Sequence, residues 1–274
     1  MGTLFVVGTP IGNLRDITLR ALEVLRSVSL IAAEDTRVTR KLLAHYDIHT
    51  PLTSYFEHNK LQKVDVILRT LAEGDVALVS DAGMPGINDP GYELIQAVIR
   101  AGYPLRVVPG PSAPIAALVI SGLPTDRFLY LGYVPRRSGE RRRLFQDVRD
   151  VQPTLLFLEV PHRLVATLEE AMAVWGPERR CAVARELTKV HEEVVRGTLA
   201  DVYAHFQAHP PRGELVWVVE GARESQGEAL TQAYALAETL IREGMSPSRA
   251  ARVAAQAFDV SRRAVYEKVK DGAP

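Results

Sequence analysis

From Leu4 to Ser121, short apolar runs alternate with segments of helical period, and this alternation constrains the fold more than any single motif. Leu4–Val7, "LIAA", "PLTSYF", "VALVS" and "LRVVPG" read as strands. Between them lie "DITLRALEVLRSV", "VTRKLLAHY", "KLQKVDVILRTLAEG" and "YELIQAVIRAG", and "SAPIAALVISG" closes the series. In the first helical segment Ile17, Ala21, Leu22, Val24, Leu25 and Val28 recur near helical period, which gathers them on one face. Strands separated by helices pair in parallel, because a crossover helix returns the chain to the same end of the sheet.

A second series starts near Arg127 with "FLYLGYV" and a basic helix near Glu140–Arg149. It continues through "TLLFLEV", "HRLVATLEEAMAVWG", "CAVARE", "EEVVRG" and "LVWVVEG". Ala222–Glu228 reads as a polar linker, and the rest as helices: "ALTQAYALAETLIREG", "SPSRAARVAAQAF" and "SRRAVYEKVKD". A chain of 274 residues exceeds one typical domain. The predicted organisation is an α/β domain with a parallel sheet over residues 1–122, a second α/β domain over 123–223 and a helical tail over 228–274.

The single cysteine, Cys181, excludes an internal disulfide and fits a reducing compartment. The start, "MGTLFVVGTPIG", lacks the basic segment of a signal peptide, and no apolar run reaches the roughly 18 residues that span a bilayer. A soluble cytoplasmic protein is expected. The formal net charge is zero, which argues against a uniformly basic nucleic-acid binder, but the charge is uneven. From Arg127 to Arg149 seven arginines face two acids, and from Arg242 to Lys270 seven bases face three acids. Each patch reads either as a polyanion contact or as a solvated helix face.

Ligands of parallel α/β sheets collect at the carboxyl ends of the strands. Three loops there are rich in Gly and Pro: "VGTPIGNL", "SDAGMPGINDPG" and "VVPGPSAP". Small residues let main chain, rather than side chains, meet a ligand. Asp81 adds a fixed acceptor, and Ser112 stands where it could cap the following helix. The first loop is neither G-x-G-x-x-G nor a P-loop, which weakens dinucleotide and nucleoside-triphosphate readings.

These loops, with "AAEDTR", "SYFEHN", "GYVPRRSGERR", "FLEVPHRL", "ARELTKVHEE" and "ELVWVVEG", resemble the tetrapyrrole methylase superfamily, and more narrowly its branch that modifies ribosomal RNA. The motifs are co-linear over about the first four-fifths of the chain. The resemblance implies a homodimeric enzyme of two α/β domains with S-adenosylmethionine between them. It implies 2′-O-methylation of a cytidine in the decoding region of small-subunit ribosomal RNA, met within the assembled subunit. By position it implies cofactor contacts from Pro10, Asp81, Gly83, Met84, Ser112 and Ala113, and from Leu158, Ala184 and Val219 in the second domain.

A ribose hydroxyl is a poor nucleophile at neutral pH, so a base or electrostatic partner is expected. Glu34, Asp35 and Arg37 in "EDTR", and Tyr55 and His58 in "SYFEHN", are the catalytic candidates, with roles unassigned. The alternative is that Asp35 and Arg37 form a local ion pair. His45–His49 and His205–His209 have i, i+4 spacing but no companion Cys or acidic pattern, so no metal site is expected. Arg136, Arg137, Arg141, Arg142 and Arg143 are the main phosphate-binding candidates. Arg262 and Arg263 join them in the tail, whose spacing suits either a helix-turn-helix or a small docking bundle. Two other functions compete: a small-molecule methyltransferase of corrin type, and a non-enzymatic nucleic-acid-binding regulator.

Overall fold

The computed structural model describes residues 1–56, 60–222 and 226–271. The chain divides into two compact units. The larger is Met1–Arg149 with Pro153–Glu220, and the smaller is Asp150–Gln152 with the chain from Gly221 on.

The larger unit contains two five-stranded sheets. In the first, β1 (Leu4–Val7), β2 (Leu30–Ala33), β3 (Leu52–Ser54), β4 (Val76–Val79) and β5 (Leu105–Val108) lie in the order β3-β2-β4-β1-β5. Every pairing in it is parallel. The two-residue period of a strand sorts its core. Val7, Ala33, Ala77 and Val79 face α1 (Leu19–Ser27) and α2 (Thr36–His45). Leu4, Ala32, Val76 and Leu78 face α3 (Lys60–Glu73) and α4 (Tyr92–Arg100). Because both faces are covered, β4 is buried at all four positions, which is why it reads as a continuous apolar run. Thr18 starts α1 by accepting the Ala21 N–H at 3.1 Å.

The second sheet has the order β6-β7-β10-β8-β9 and is mixed. Its strands are β6 (Phe128–Tyr133), β7 (Thr154–Glu159), β8 (Arg180–Arg185), β9 (Glu193–Thr198) and β10 (Leu215–Val219). Only β6 and β7 pair in parallel. Phe157 and Trp217 carry an aromatic cluster with Phe145 of α6 (Ser138–Asp147) and Trp175 of α7 (Pro161–Trp175). The Phe145–Trp175 rings lie 4.7 Å apart, close enough to add to the area they bury. α8 (Leu199–Ala208) opens with a capping box between Thr198 and Asp201. The other face, with Leu156, Ala184, Val216 and Val218, receives Ala117 and Leu118 of α5 (Ala113–Ser121). This helix leaves the first sheet and packs on the second, so the two sheets are joined through a shared core.

The smaller unit holds α9 (Gln226–Arg242), α10 (Pro247–Ala257) and α11 (Arg262–Asp271). Ala233, Ala237, Ala250, Ala251, Ala254 and Ala255 form most of its buried centre, and small side chains there let the helices approach closely. Asp259 takes a left-handed conformation, φ 49°, in the turn between α10 and α11. Among the described residues, no helix is long and apolar enough to cross a membrane.

Candidate active-site cleft

The three Gly- and Pro-rich loops meet at the carboxyl ends of β1, β4 and β5, tied by main chain. Thr9 and Gly83 exchange backbone hydrogen bonds of 2.9 and 3.1 Å, and the Thr9 hydroxyl donates to the Ser80 carbonyl at 3.1 Å. The first and third loops touch still more closely. A Cβ on Gly110 would stand 2.9 Å from the Gly8 Cα, and one on Gly8 would stand 2.7 Å from the Gly110 Cα and the Met84 Sδ. Gly83 has φ 83°, which turns the second loop toward the cleft where a side chain would be strained.

Above these loops opens a cleft of about 220 Å³ between the two sheets. Of the residues that the resemblance makes cofactor contacts, Gly83, Met84, Ser112, Ala113 and Leu158 line it. Ser112 occupies the N-cap position of α5 but makes no side-chain capping bond, contrary to the capping role read from sequence, and it faces the cleft instead. Pro10, Asp81, Ala184 and Val219 are not in the cleft wall. Pro10 is buried within its loop. Ala184 is buried directly opposite Val216, and it is Val216, across from Leu158, that lines the cleft. Val219 shares the strand parity of Trp217, so it lies on the opposite face of β10 from Val216.

An acidic network lies beside the cleft. Asp81 accepts the Asp35 N–H at 3.0 Å, while the Asp81 N–H donates to Glu34 at 3.3 Å. Burial pushes both the Glu34 and the Asp81 carboxyl up. Asp35 caps α2 by accepting the Arg37 N–H at 2.8 Å and takes a two-pronged ion pair from the Arg37 guanidinium, closest approach 2.6 Å. Those hydrogen bonds hold its carboxyl down at about 2. The pair is therefore the local ion pair that the sequence offered as an alternative.

Two further candidates, Tyr55 and Arg141, are placed differently from the sequence reading. Tyr55 is fully buried in the core under α3 and α4, and its hydroxyl accepts the Leu94 N–H at 3.1 Å. It braces the start of α4 and does not reach the cleft. His58 lies outside the described residues. Arg141 is 6% exposed and forms a two-pronged pair with Glu170, so it is a packing residue of α6 and not a surface phosphate contact. Arg136, Arg137, Arg142 and Arg143 remain exposed, as do Arg262 and Arg263, which bond to Ser248 and Glu267.

Three acids in the cleft wall, Asp89, Glu159 and Glu214, escaped the sequence reading. Glu159 is buried, and its carboxylate accepts from the Val160 N–H, Arg163 and Thr167, each within 2.8 Å. Arg163 and Thr167, four residues apart, share one face of α7 beside Glu159 at the end of β7, a spacing that could have revealed this network. Asp89 stands in the loop "GINDPG", whose turn-like composition masked it. Burial, helped by the nearby charges of Glu34 and Asp81, pushes its carboxyl up to about 7. Tyr130 and Tyr133 of β6 line the same wall, and burial pushes the Tyr130 phenol up to about 12.

Residues 3–203 match the family Tetrapyrrole (Corrin/Porphyrin) Methylases. The chain is 44% identical over 270 residues to the ribosomal RNA small subunit methyltransferase I of Synechocystis sp., covering 97% of each. It is 46% identical to the protein of the same name from Thermotoga maritima, over 81% of this chain and 99% of that one. Among solved structures, a diphthine synthase aligns at a TM-score of 0.64 with 17% identity, covering 81% of this chain and 90% of that one. A uroporphyrin-III-C-methyltransferase from Thermus thermophilus aligns at 0.56 with 24% identity, covering 80% and 94%. At those identities the two structures speak for the fold alone. By family match and by identity to relatives over nearly its whole length, the chain belongs to the tetrapyrrole methylases, as a methyltransferase of the ribosomal RNA small subunit methyltransferase I branch.

Proposed function

We propose that this enzyme transfers a methyl group from S-adenosylmethionine to the 2′-oxygen of a cytidine in the decoding region of small-subunit ribosomal RNA. The observation that carries this reading is a cleft walled by small residues and main chain, in a chain nearly half identical to a ribosomal RNA methyltransferase. The loop contacts fit such a cofactor, because a Cβ at Gly8 or Gly110 would force apart the loops that form the cleft floor. Gly83, Met84, Ser112 and Ala113 would hold it from the first sheet, with Leu158 and Val216 opposite. When bound, the cofactor supplies an electrophilic methyl on a positively charged sulfur. The protein's part is alignment, since well-oriented reactants reach effective molarities on the order of 10⁵–10⁸ M.

On this reading residues 1–122 carry the cofactor loops, 123–223 the facing wall, and 228–274 with the exposed arginines of α6 dock the RNA. The enzyme works as a cytoplasmic homodimer on the assembled small subunit. The dimer is supported by apolar side chains left exposed along the edge strands β5 and β6 and on α5: Leu105, Val107, Ile115, Val119, Phe128 and Leu129.

Purified protein incubated with tritiated S-adenosylmethionine and undermethylated small subunits, free ribosomal RNA or no acceptor tests the reading. Label mapped to a cytidine 2′-oxygen is the expected result. Cofactor binding with no label in any RNA would overturn the substrate and favour a small-molecule acceptor.

A further inference from the structure

We propose, resting on the reading above, that Asp89 is the general base that accepts the proton of the ribose hydroxyl. Asp89 lines the cleft together with Met84 and Ser112, on the side where Tyr130 and Tyr133 of β6 complete the wall. The chain holds it rigidly there. Asn88 before it takes a left-handed conformation, φ 64°, and Pro90 after it fixes its own φ. A Cβ on Gly132 would stand 2.8 Å from the Asn88 amide nitrogen, so this loop seats directly on β6.

The other carboxylates nearby are committed elsewhere. Glu34 and Asp81 accept backbone N–H groups from each other's loops, and Asp35 is held by Arg37. Glu159 is saturated by Val160, Arg163 and Thr167, and Glu214 pairs with Lys189. The Ser80 hydroxyl favours the charged form of Asp89 but lies 3.4 Å from the Ala82 and Gly83 carbonyls, which leaves acceptor capacity on the Asp89 carboxylate in the cleft wall. The step balances without another reactant. The 2′-hydroxyl gives its proton to an Asp89 oxygen as the ribose oxygen bonds the methyl carbon. The carbon–sulfur bond breaks with its electron pair staying on sulfur, and Asp89 later releases the proton to solvent.

The groups facing Asp89 also set its basicity. Glu34 at the end of β2 and Asp81 after β4 disfavour its charged form, while the hydroxyl of Ser80 favours it. Tyr130 and Tyr133 stay neutral and can donate hydrogen bonds. A base whose proton affinity lies near working pH is the effective one.

The test is single-turnover methyl transfer to ribosomal RNA across pH, with cofactor affinity measured by calorimetry. Wild type should show a rate that rises with pH through one ionisation at about 7. Asp89→Asn should bind cofactor as wild type does, lose at least about 100-fold in rate and lose that ionisation, and Asp89→Glu should recover part of the rate. Glu34→Gln removes a charge that raises the Asp89 proton affinity, so its profile should move to lower pH. A merely structural role for Asp89 would not move it. Asp89→Asn with a rate within threefold of wild type, or an unmoved Glu34→Gln profile, overturns the inference alone. A wild-type enzyme that binds cofactor but labels no ribose overturns the functional reading, and the inference with it.

Discussion

Replacing Arg141 with alanine should cost stability and leave RNA binding nearly unchanged, although Arg141 sits in the most basic run of the chain, "GERRR". Its guanidinium reaches the two Glu170 oxygens at 2.9 and 2.5 Å and the Pro135 carbonyl at 3.4 Å. The side chains of the pair are 7% and 14% exposed, so they are largely withdrawn from water. Removing one partner of such a pair strands the other charge, at roughly 3–5 kcal/mol. Glu170 would keep the Ser138 hydroxyl at 2.9 Å and Arg142 at 3.9 Å, which places the loss near the lower end, about 3 kcal/mol. At a few degrees per kcal/mol, the thermal midpoint should fall by roughly 6–12 °C, read by circular dichroism. The pH dependence has a definite sign. Hydrogen bonds from Arg141 hold the Glu170 carboxyl below its ordinary 4.5, so the pair's contribution is complete above that value. It is lost as pH falls through the depressed value, and the gap between wild type and variant should close in acid. An unchanged midpoint with a salt slope of RNA binding reduced by about one unit would refute this reasoning and make Arg141 a phosphate contact.

Three other outcomes are expected. Gly110→Ala should lose roughly 1–3 kcal/mol of stability in denaturant titration, with weakened cofactor binding, because its Cβ would press on Gly8 backbone at 2.9 Å. Arg136, Arg142 and Arg143 changed together to alanine should melt like wild type. The log–log salt slope of that triple variant on single-stranded ribosomal RNA should shrink by about two units in filter binding. Ending the chain at Gly221 should leave calorimetric cofactor affinity within threefold while lowering RNA affinity, since every residue of the cleft wall precedes the cut.

How much was legible in the sequence followed from the range of the forces involved. The parallel sheet and its loops were legible because strand and helix periods are local, and because Gly and Pro mark where backbone replaces side chain. Arg141 was misread from local charge alone. Its spacing to Phe145 and Val148, four and seven residues on, places all three on the buried face of α6, and that signal outweighs a run of arginines. Val219 lies four residues along β10 from Leu215, which does line the cleft, and its neighbours in register, Leu155 and Cys181, are not in the wall where Leu158 and Val216 stand. Tyr55 and Asp89 were hard to read for a different reason. Burial inside the core made the tyrosine structural, and burial, helped by the charge of Glu34, 55 positions away in the chain, raised the proton affinity of an aspartate that looks like a turn residue. No local pattern encodes either distance.

The cleft therefore separates two kinds of constraint. On the floor, Thr9–Gly83 and Gly8–Gly110 contacts are made by main chain, so the requirement is for the absence of side chains, and substitutions act by steric displacement. On the wall toward β6, Asp89, Tyr130 and Tyr133, with Glu34 beside the cleft, act through charge and proton affinity, and isosteric substitutions there change chemistry while leaving shape intact. On the proposed reading the floor meets the methyl donor and the wall meets the acceptor. A steric change such as Gly110→Ala should then depress cofactor affinity and rate together, whereas Asp89→Asn should depress rate at constant affinity. If both variants gave the same pattern, the floor and wall would be one site with one ligand, and the assignment of the acceptor to the β6 side would have to be abandoned.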